Sequence, residues 1–177
     1  MIIRLATETD DIQACAAMGH SYVTDHVWQV EAREHPDGTS VAFRTVHLPR
    51  TLRDRCACSL EKLVHRWNQQ DAVLVAEDKG QIVGYLYLTV QDKEGIGWVH
   101  NLVVTPRLRR RGIGTALVQA AADWLCQRNV RQLSLEMTTK NYPAICFAQK
   151  LGFSFCGYND RYYASQDIAI FFAKALR

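Results

Sequence analysis

The stretch Val103-Val104-Thr105-Pro106-Arg107-Leu108-Arg109-Arg110-Arg111-Gly112-Ile113-Gly114-Thr115-Ala116-Leu117 constrains this chain more than any other. An apolar run ends at a proline, a basic loop with two glycines follows, and an alanine-rich helical pattern begins at once. A strand that opens into a helix through such a loop makes an anion seat. The first backbone N–H groups of the helix lack an internal partner, and the macrodipole leaves partial positive charge there. Gly112 and Gly114 let a ligand approach the main chain closely. Arg109, Arg110 and Arg111 add full charges that can pair with phosphate oxygens. The pattern predicts a polyphosphate site over Arg109, Arg110, Arg111, Gly112, Ile113, Gly114 and Thr115.

Three competing interpretations of the loop are weaker. A P-loop ends in Gly-Lys-Ser/Thr, whereas Thr115-Ala116 follow Gly114. A dinucleotide fingerprint needs a third small residue where Leu117 stands, and an earlier place in the chain. A solvated basic turn or nucleic-acid patch does not explain why the arginines fall between a strand and a helix, where bound phosphate is expected.

The segment Arg109-x-x-Gly112-x-Gly114, with its Val-x-Pro-x-x-Arg framing, resembles the acetyl-CoA pyrophosphate motif of the GNAT acetyltransferase superfamily. A second block is similar to the family's pantetheine-side helix: Asn141-Tyr142-Pro143-Ala144-Ile145-Cys146-Phe147-Ala148-Gln149-Lys150-Leu151-Gly152-Phe153. The two blocks stand in family order at family spacing, and the likeness covers roughly residues 72 to 157. Within the superfamily, the nearest resemblances are to streptothricin acetyltransferases and ribosomal-protein alanine acetyltransferases.

Composition excludes several classes. A chain of 177 residues suits one domain over 1–177, and 48% hydrophobic with 22% charged residues is an ordinary globular balance. A net charge of +3, concentrated in one loop, does not suggest nucleic acid. No apolar run reaches the ~18 residues of a membrane span, and Met1-Ile2-Ile3-Arg4-Leu5 lacks a signal peptide's apolar core, so a cytoplasmic protein is expected. Cys15, Cys56, Cys58, Cys126, Cys146 and Cys156 are scattered without metal-ligand spacing, so buried free thiols and no metal are expected.

Periodicity and turn residues predict a strand at 2–6, a helix over roughly 11–33 capped by Asp10-Asp11, and a loop at His35-Pro36-Asp37-Gly38. A strand or extended arm at 40–47 precedes a helix over about 51–69. Strands follow at 72–77 and 81–91 around the turn Asp78 to Gln81, and after a turn at Asp92 to Gly95 comes a strand at 97–104. A helix over roughly 113–128, a strand at 133–137, a helix at 142–151 ended by Gly152, and strands at 153–157 and 167–174 complete the pattern.

This α/β (α+β) order permits the GNAT fold: a mostly antiparallel central sheet, splayed between its fourth and fifth strands, with helices on both faces. The resemblance implies acetyl-CoA as co-substrate, its amides running along Leu102, Val103 and Val104 like an added strand. It implies further contacts at Asn141, Ala144, Phe147 and Lys150, and transfer of acetyl to an amine. Such an amine, with a pKa near ~10.4, arrives protonated and needs a general base. Glu136 matches the base glutamate of the ribosomal-protein alanine acetyltransferases. His100 resembles the histidine of arylalkylamine acetyltransferases, and its ordinary pKa near ~6.5 suits the role. Where many members carry a tyrosine that protonates the departing thiolate, this chain has Ala148. Tyr142, Tyr158, Tyr162 and Tyr163 are the phenols that would have to replace it.

The acceptor is expected to be a small-molecule or peptide amine; a homodimer is left open, and no nucleic acid or membrane is expected. Asp160, Asp167 and Glu31 are carboxylates able to meet a cationic substrate, though solvated or capping roles suit isolated acids better. A catalytically weak acyl-CoA-binding sensor is the alternative, favoured by Ala148 and opposed by Glu136 and His100.

Overall fold

The structure, a computed structural model, describes residues 1–55, 72–91 and 94–176. Among them, seven strands form one sheet: β1 (Ile2–Leu5), β4 (Ala72–Asp78), β5 (Gln81–Gln91), β6 (Ile96–Val104), β7 (Gln132–Thr138), β8 (Ser154–Asn159) and β9 (Ala169–Ala175). Their order is β1-β4-β5-β6-β7-β9-β8, and only the β6–β7 pair is parallel. Strands β2 (Ser21–His35) and β3 (Gly38–Arg55) form a separate antiparallel ribbon. Helix α1 (Thr9–Ala17) lies between β1 and β2 in the chain; α2 (Ile113–Cys126) and α3 (Tyr142–Lys150) flank β7.

Strand alternation divides the core into two layers. Leu86 and Leu88 of β5 turn toward α2 and α3, joining Leu117, Leu125, Leu133 and Ile145. Tyr85 and Tyr87 turn to the opposite face, against Ile12 and Cys15 of α1. Gly97 is needed in β6 because α2 packs hard on it: a Cβ there would run into the fully buried side chain of Leu125.

The early segments depart from the sequence expectation. The helix predicted over 11–33 stops at Ala17, and residues 21–35 are strand β2. Val23, Val27 and Val30 satisfy a helical period, but the segment is rich in β-branched and aromatic residues, and β3 pairs with it from Ser21↔Arg55 to His35↔Gly38. Residues 51–55, expected to open a helix, belong to β3; the rest of that predicted helix, with Cys56 and Cys58, lies outside the described residues. The helix cap also differs. Glu8 is the N-cap of α1, while Asp11 accepts the Thr7 N–H (3.0 Å) and two bonds from Arg4 (2.7 and 2.8 Å). The described cysteines are free, but only Cys15 is fully buried; Cys156 is exposed on β8, which lies at the sheet edge.

From β4 onward the predicted elements agree to within two residues at each boundary. Lys79 and Gly80 both have positive φ in the β4–β5 hairpin, as a two-residue primed turn requires.

Candidate active site

The sheet opens where β6 and β7 part. Their parallel pairing runs from Ile96↔Gln132 to Val99↔Leu135 and ends there. His100 marks the fork. On the β5 side, Tyr87 faces Asn101 and Leu88 faces Val99, so His100 is the extra residue of a bulge, a device that bends a strand and re-aims its neighbours. Past the fork, Leu102, Val103 and Val104 bond to β5 through one edge, and no described strand pairs with the other. An open main-chain edge of this kind accepts an extended amide-bearing ligand as it would a strand.

A cleft occupies the fork. His100 and Leu102 line it from β6, Leu135 to Thr138 from β7, Asn141, Ala144 and Phe147 from α3, and Tyr163 from the loop before β9. Six of the predicted residues therefore converge: Glu136, His100, Leu102, Asn141, Ala144 and Phe147. Val103, Val104 and Lys150 are not brought to the lining. Val103 turns to the α1 face, while Lys150 stands exposed in the last turn of α3, where a cation complements the helix dipole.

The arginine–glycine loop leads into a helix start beside the cleft. Pro106–Leu108 form a short 3₁₀ turn, and Gly112 is the N-cap of α2 at φ 87°, a left-handed conformation that glycine tolerates best. The first intrahelical bond runs from the Ala116 N–H to the Gly112 carbonyl, so the N–H groups of Ile113, Gly114 and Thr115 have no helical acceptor. A Cβ on Gly114 would stand 3.4 Å from Phe147 and 4.0 Å from Leu102, which sets this helix start beside two cleft residues. The arginines divide their work. Arg109 donates to the Val104 carbonyl (3.0 Å) and the Ser21 carbonyl (2.8 Å), tying the end of β6 to the start of the ribbon. Arg110 and Arg111 are exposed.

The ribbon straps the open end of the fork. Its Ser21 carbonyl is held by Arg109, and the Trp28 N–H donates to the Thr139 carbonyl just past β7 (2.9 Å). Seven residues at about 3.3 Å each span roughly 23 Å between these ties.

Glu136 is held by two donors on the same oxygen. The Trp98 indole N–H reaches its Oε2 at 3.3 Å and the Tyr162 hydroxyl at 3.2 Å. His100 shares a 3.0 Å hydrogen bond between its Nε2 and the Thr89 hydroxyl, and its ring lies 5.4 Å from that of Tyr87. Asn141 caps α3 by accepting the Ala144 N–H at 3.3 Å, so its amide has a structural role beside its place in the lining.

Ala148 is fully buried in the core. Of the four candidate phenols, only Tyr163 lines the cleft. Tyr142 stacks on His26 (5.3 Å), and its hydrogen bond with Cys146 raises its pKa. Tyr158 leans on Phe43 (5.4 Å). The three isolated acids have cationic neighbours: Glu31 with Arg33 and Arg44, Asp167 with Lys140, and Asp160 with Arg161 at 3.9 Å. Among the described residues no three His, Cys, Asp or Glu side chains gather to hold a metal, and no helix is long and apolar enough to cross a membrane.

The contacts of Trp98 and Tyr162 with Glu136 had no sequence signal, because the residues lie 38 and 26 positions away from it. The ribbon's strap was equally hidden; only its β-branched composition hinted at a strand.

Comparison with known proteins agrees with this geometry. The model of the acetyltransferase (GNAT) family matches residues 27–153. A streptothricin acetyltransferase of Streptomyces lavendulae is 38% identical over 65 residues, 37% of this chain and 34% of that protein. The crystal structure of nourseothricin acetyltransferase superposes with a TM-score of 0.84 at 24% identity, covering 99% of this chain and 98% of the other. The ribosomal-protein-S18-alanine N-acetyltransferase of Escherichia coli gives 0.66 at 20% identity, covering 99% and 94%. At these identities the two structures speak for the fold. The chain spans between 32% and 60% of the length of the first curated relatives it matches.

Proposed function

Because the chain belongs to the acetyltransferase (GNAT) family, we propose that it moves the acetyl group of acetyl-CoA onto a primary amine by direct attack, as one domain over 1–177. The observation that carries this is the fork between β6 and β7, with a helix start beside it whose first N–H groups have no helical acceptor and a doubly held carboxylate in its wall. The N–H groups of Ile113, Gly114 and Thr115 receive the pyrophosphate, helped by Arg110 and Arg111; Arg109 serves by fixing the loop. The free edge of Leu102 to Val104 pairs with the pantetheine amides through its main chain, so the side-chain direction of Val103 is immaterial. Ala144 and Phe147 pack along that arm.

Glu136 is the base we assign. It takes the proton from the acceptor ammonium, directly or through one water, and the freed lone pair forms the new C–N bond at the thioester carbonyl. The C–S bond breaks as the electron pair returns to sulfur. With a thiol pKa of about 8.5, the departing thiolate needs little help near neutral pH. Tyr163 is the phenol we assign to protonate it. His100 is the second candidate base; its bulge position fits the bend of the strand, and its bond to Thr89 supports a structural role. The acceptor is a small-molecule or peptide amine. A sensor that only binds acyl-CoA would have no use for a carboxylate held on one oxygen in the cleft wall.

The test is release of free thiol from acetyl-CoA in the presence of a panel of alkylamines, peptide N-termini and aminoglycoside-like or streptothricin-like antibiotics. Amine-dependent thiol release with at least one class is the expected result. Tight acetyl-CoA binding with no thiol release for any class would replace transfer by sensing.

A further inference from the structure

Two donors converge on one oxygen of Glu136, and the structure assigns to Tyr162, with Trp98, the role of positioning residues that pin Oε2 and present Oε1 to the acceptor amine. The assignment rests on Glu136 being the base. Trp98 stands on β6, two residues before the bulge at His100, and its indole N–H approaches Oε2 at 3.3 Å from across the β6–β7 pair. Tyr162 comes from the loop between β8 and β9, and its hydroxyl approaches the same oxygen at 3.2 Å. Among the described residues no hydrogen bond to Oε1 accompanies these two.

The donors are themselves set by packing. Phe171 of β9 stands opposite Glu136 in the β7–β9 pairing. Its ring lies 5.6 Å from that of Trp98 and 5.8 Å from that of Tyr162, the latter edge-on at 83°. Tyr162 also meets Tyr163 edge-on at 5.1 Å. The Tyr162 main chain is fixed as well, its N–H donating to the Asp167 carbonyl at 3.1 Å. The frame therefore links the loop before β9 to the carboxylate through rings whose offset and edge-on geometries are the favourable ones.

Two donors to one oxygen remove rotation about the last side-chain bond, which keeps the free oxygen within reach of the amine. Burial, and the neighbouring negative charge of Glu136, push the Tyr162 phenol above its ordinary value, so it remains a donor across the assay range. Among the described residues, the other titratable groups that line the cleft with Glu136 are His100 from β6 and Tyr163 from the loop.

Tyr162→Phe removes one donor and keeps the ring. Because Tyr162 is 46% exposed, water replaces part of what is lost, and the effect is moderate. The kcat is expected to fall about 3- to 10-fold with the KM for acetyl-CoA unchanged. Trp98→Phe is expected to lower kcat in the same way. The Tyr162→Phe protein should melt with the wild type, which separates a pinned carboxylate from a loosened fold. An unchanged kcat in Tyr162→Phe overturns the positioning role. Glu136→Gln, measured alongside, keeps the two claims apart: full activity there removes the base assignment itself, whereas lost activity there with an unchanged kcat in Tyr162→Phe removes only the positioning role.

Discussion

Replacing Ala148 by tyrosine restores the residue that many family members carry, and the structure predicts that this harms the fold more than it helps the chemistry. Ala148 is fully buried, on the same helix turn as fully buried Ile145 and beside Phe153, whose N–H bonds to the Ala148 carbonyl at 3.1 Å. A phenol ring there enters a close-packed core and forces its neighbours off their preferred rotamers. Overpacking of this kind costs about 1–3 kcal/mol. For a domain of this size each kcal/mol lowers Tm by about 2–4 °C, so Ala148→Tyr should melt roughly 2–12 °C below the wild type. The rate should change less than about tenfold, because the thiolate leaves readily without an acid at this position. The assay pairs a calorimetric or dichroism melt with kcat at saturating substrates, and Ala148→Leu serves as a control that overpacks without a phenol. An unchanged Tm together with a rate gain well beyond tenfold, absent in Ala148→Leu, would refute the reasoning. It would mean that the core yields and that the natural protein is an impaired enzyme.

Gly112→Glu should abolish measurable CoA binding by calorimetry in a folded protein, because it sets a side chain at φ 87° and a negative charge at the helix start; unaltered affinity would remove the pyrophosphate from that loop. The Arg4–Asp11 pair predicts an acid-sensitive increment of stability. Asp11 is held at about 2 by its hydrogen bonds with Arg4, opposed by burial, below an ordinary value near 3.9. A depressed carboxylate stabilises the fold fully above its unfolded pKa and loses that contribution as pH falls through the folded one. Wild type should therefore lose about 1–2 kcal/mol relative to Asp11→Asn between roughly pH 5 and pH 2, read as converging denaturant midpoints; a gap independent of pH would dismiss the pair as a pH-linked element.

The later elements were legible because their signals are local. The hairpin at Lys79-Gly80, the proline and glycines around α2, and Gly152 after α3 at φ 78° all punctuate the chain at the residues where the elements change. The ribbon was not legible. Val23, Val27 and Val30 fit a helical period, and the strand was decided by β3, whose pairing residues lie up to 34 positions away in the Ser21↔Arg55 pair. The site followed the same rule. Glu136, His100, Asn141, Ala144 and Phe147 could be named from motifs, and the cleft brings them together. Arg109 has partners the motif does not announce: a guanidinium beside a phosphate seat suggests phosphate, and its N–H groups also donate to the Val104 and Ser21 carbonyls. Main-chain acceptors carry no sequence signature, and neither does the fold that leads Trp98 and Tyr162 to the same oxygen.

The pH dependence of kcat/KM for Glu136→Gln and His100→Gln, set against the wild type with an amine that supports turnover, tests the central claim most directly. Glu136→Gln should lower kcat/KM by about 10²-fold or more and erase the acidic limb while leaving CoA affinity nearly unchanged. His100→Gln should cost less and keep the limb. Full activity in Glu136→Gln, with the limb lost in His100→Gln, would contradict the account and move the base to the bulge.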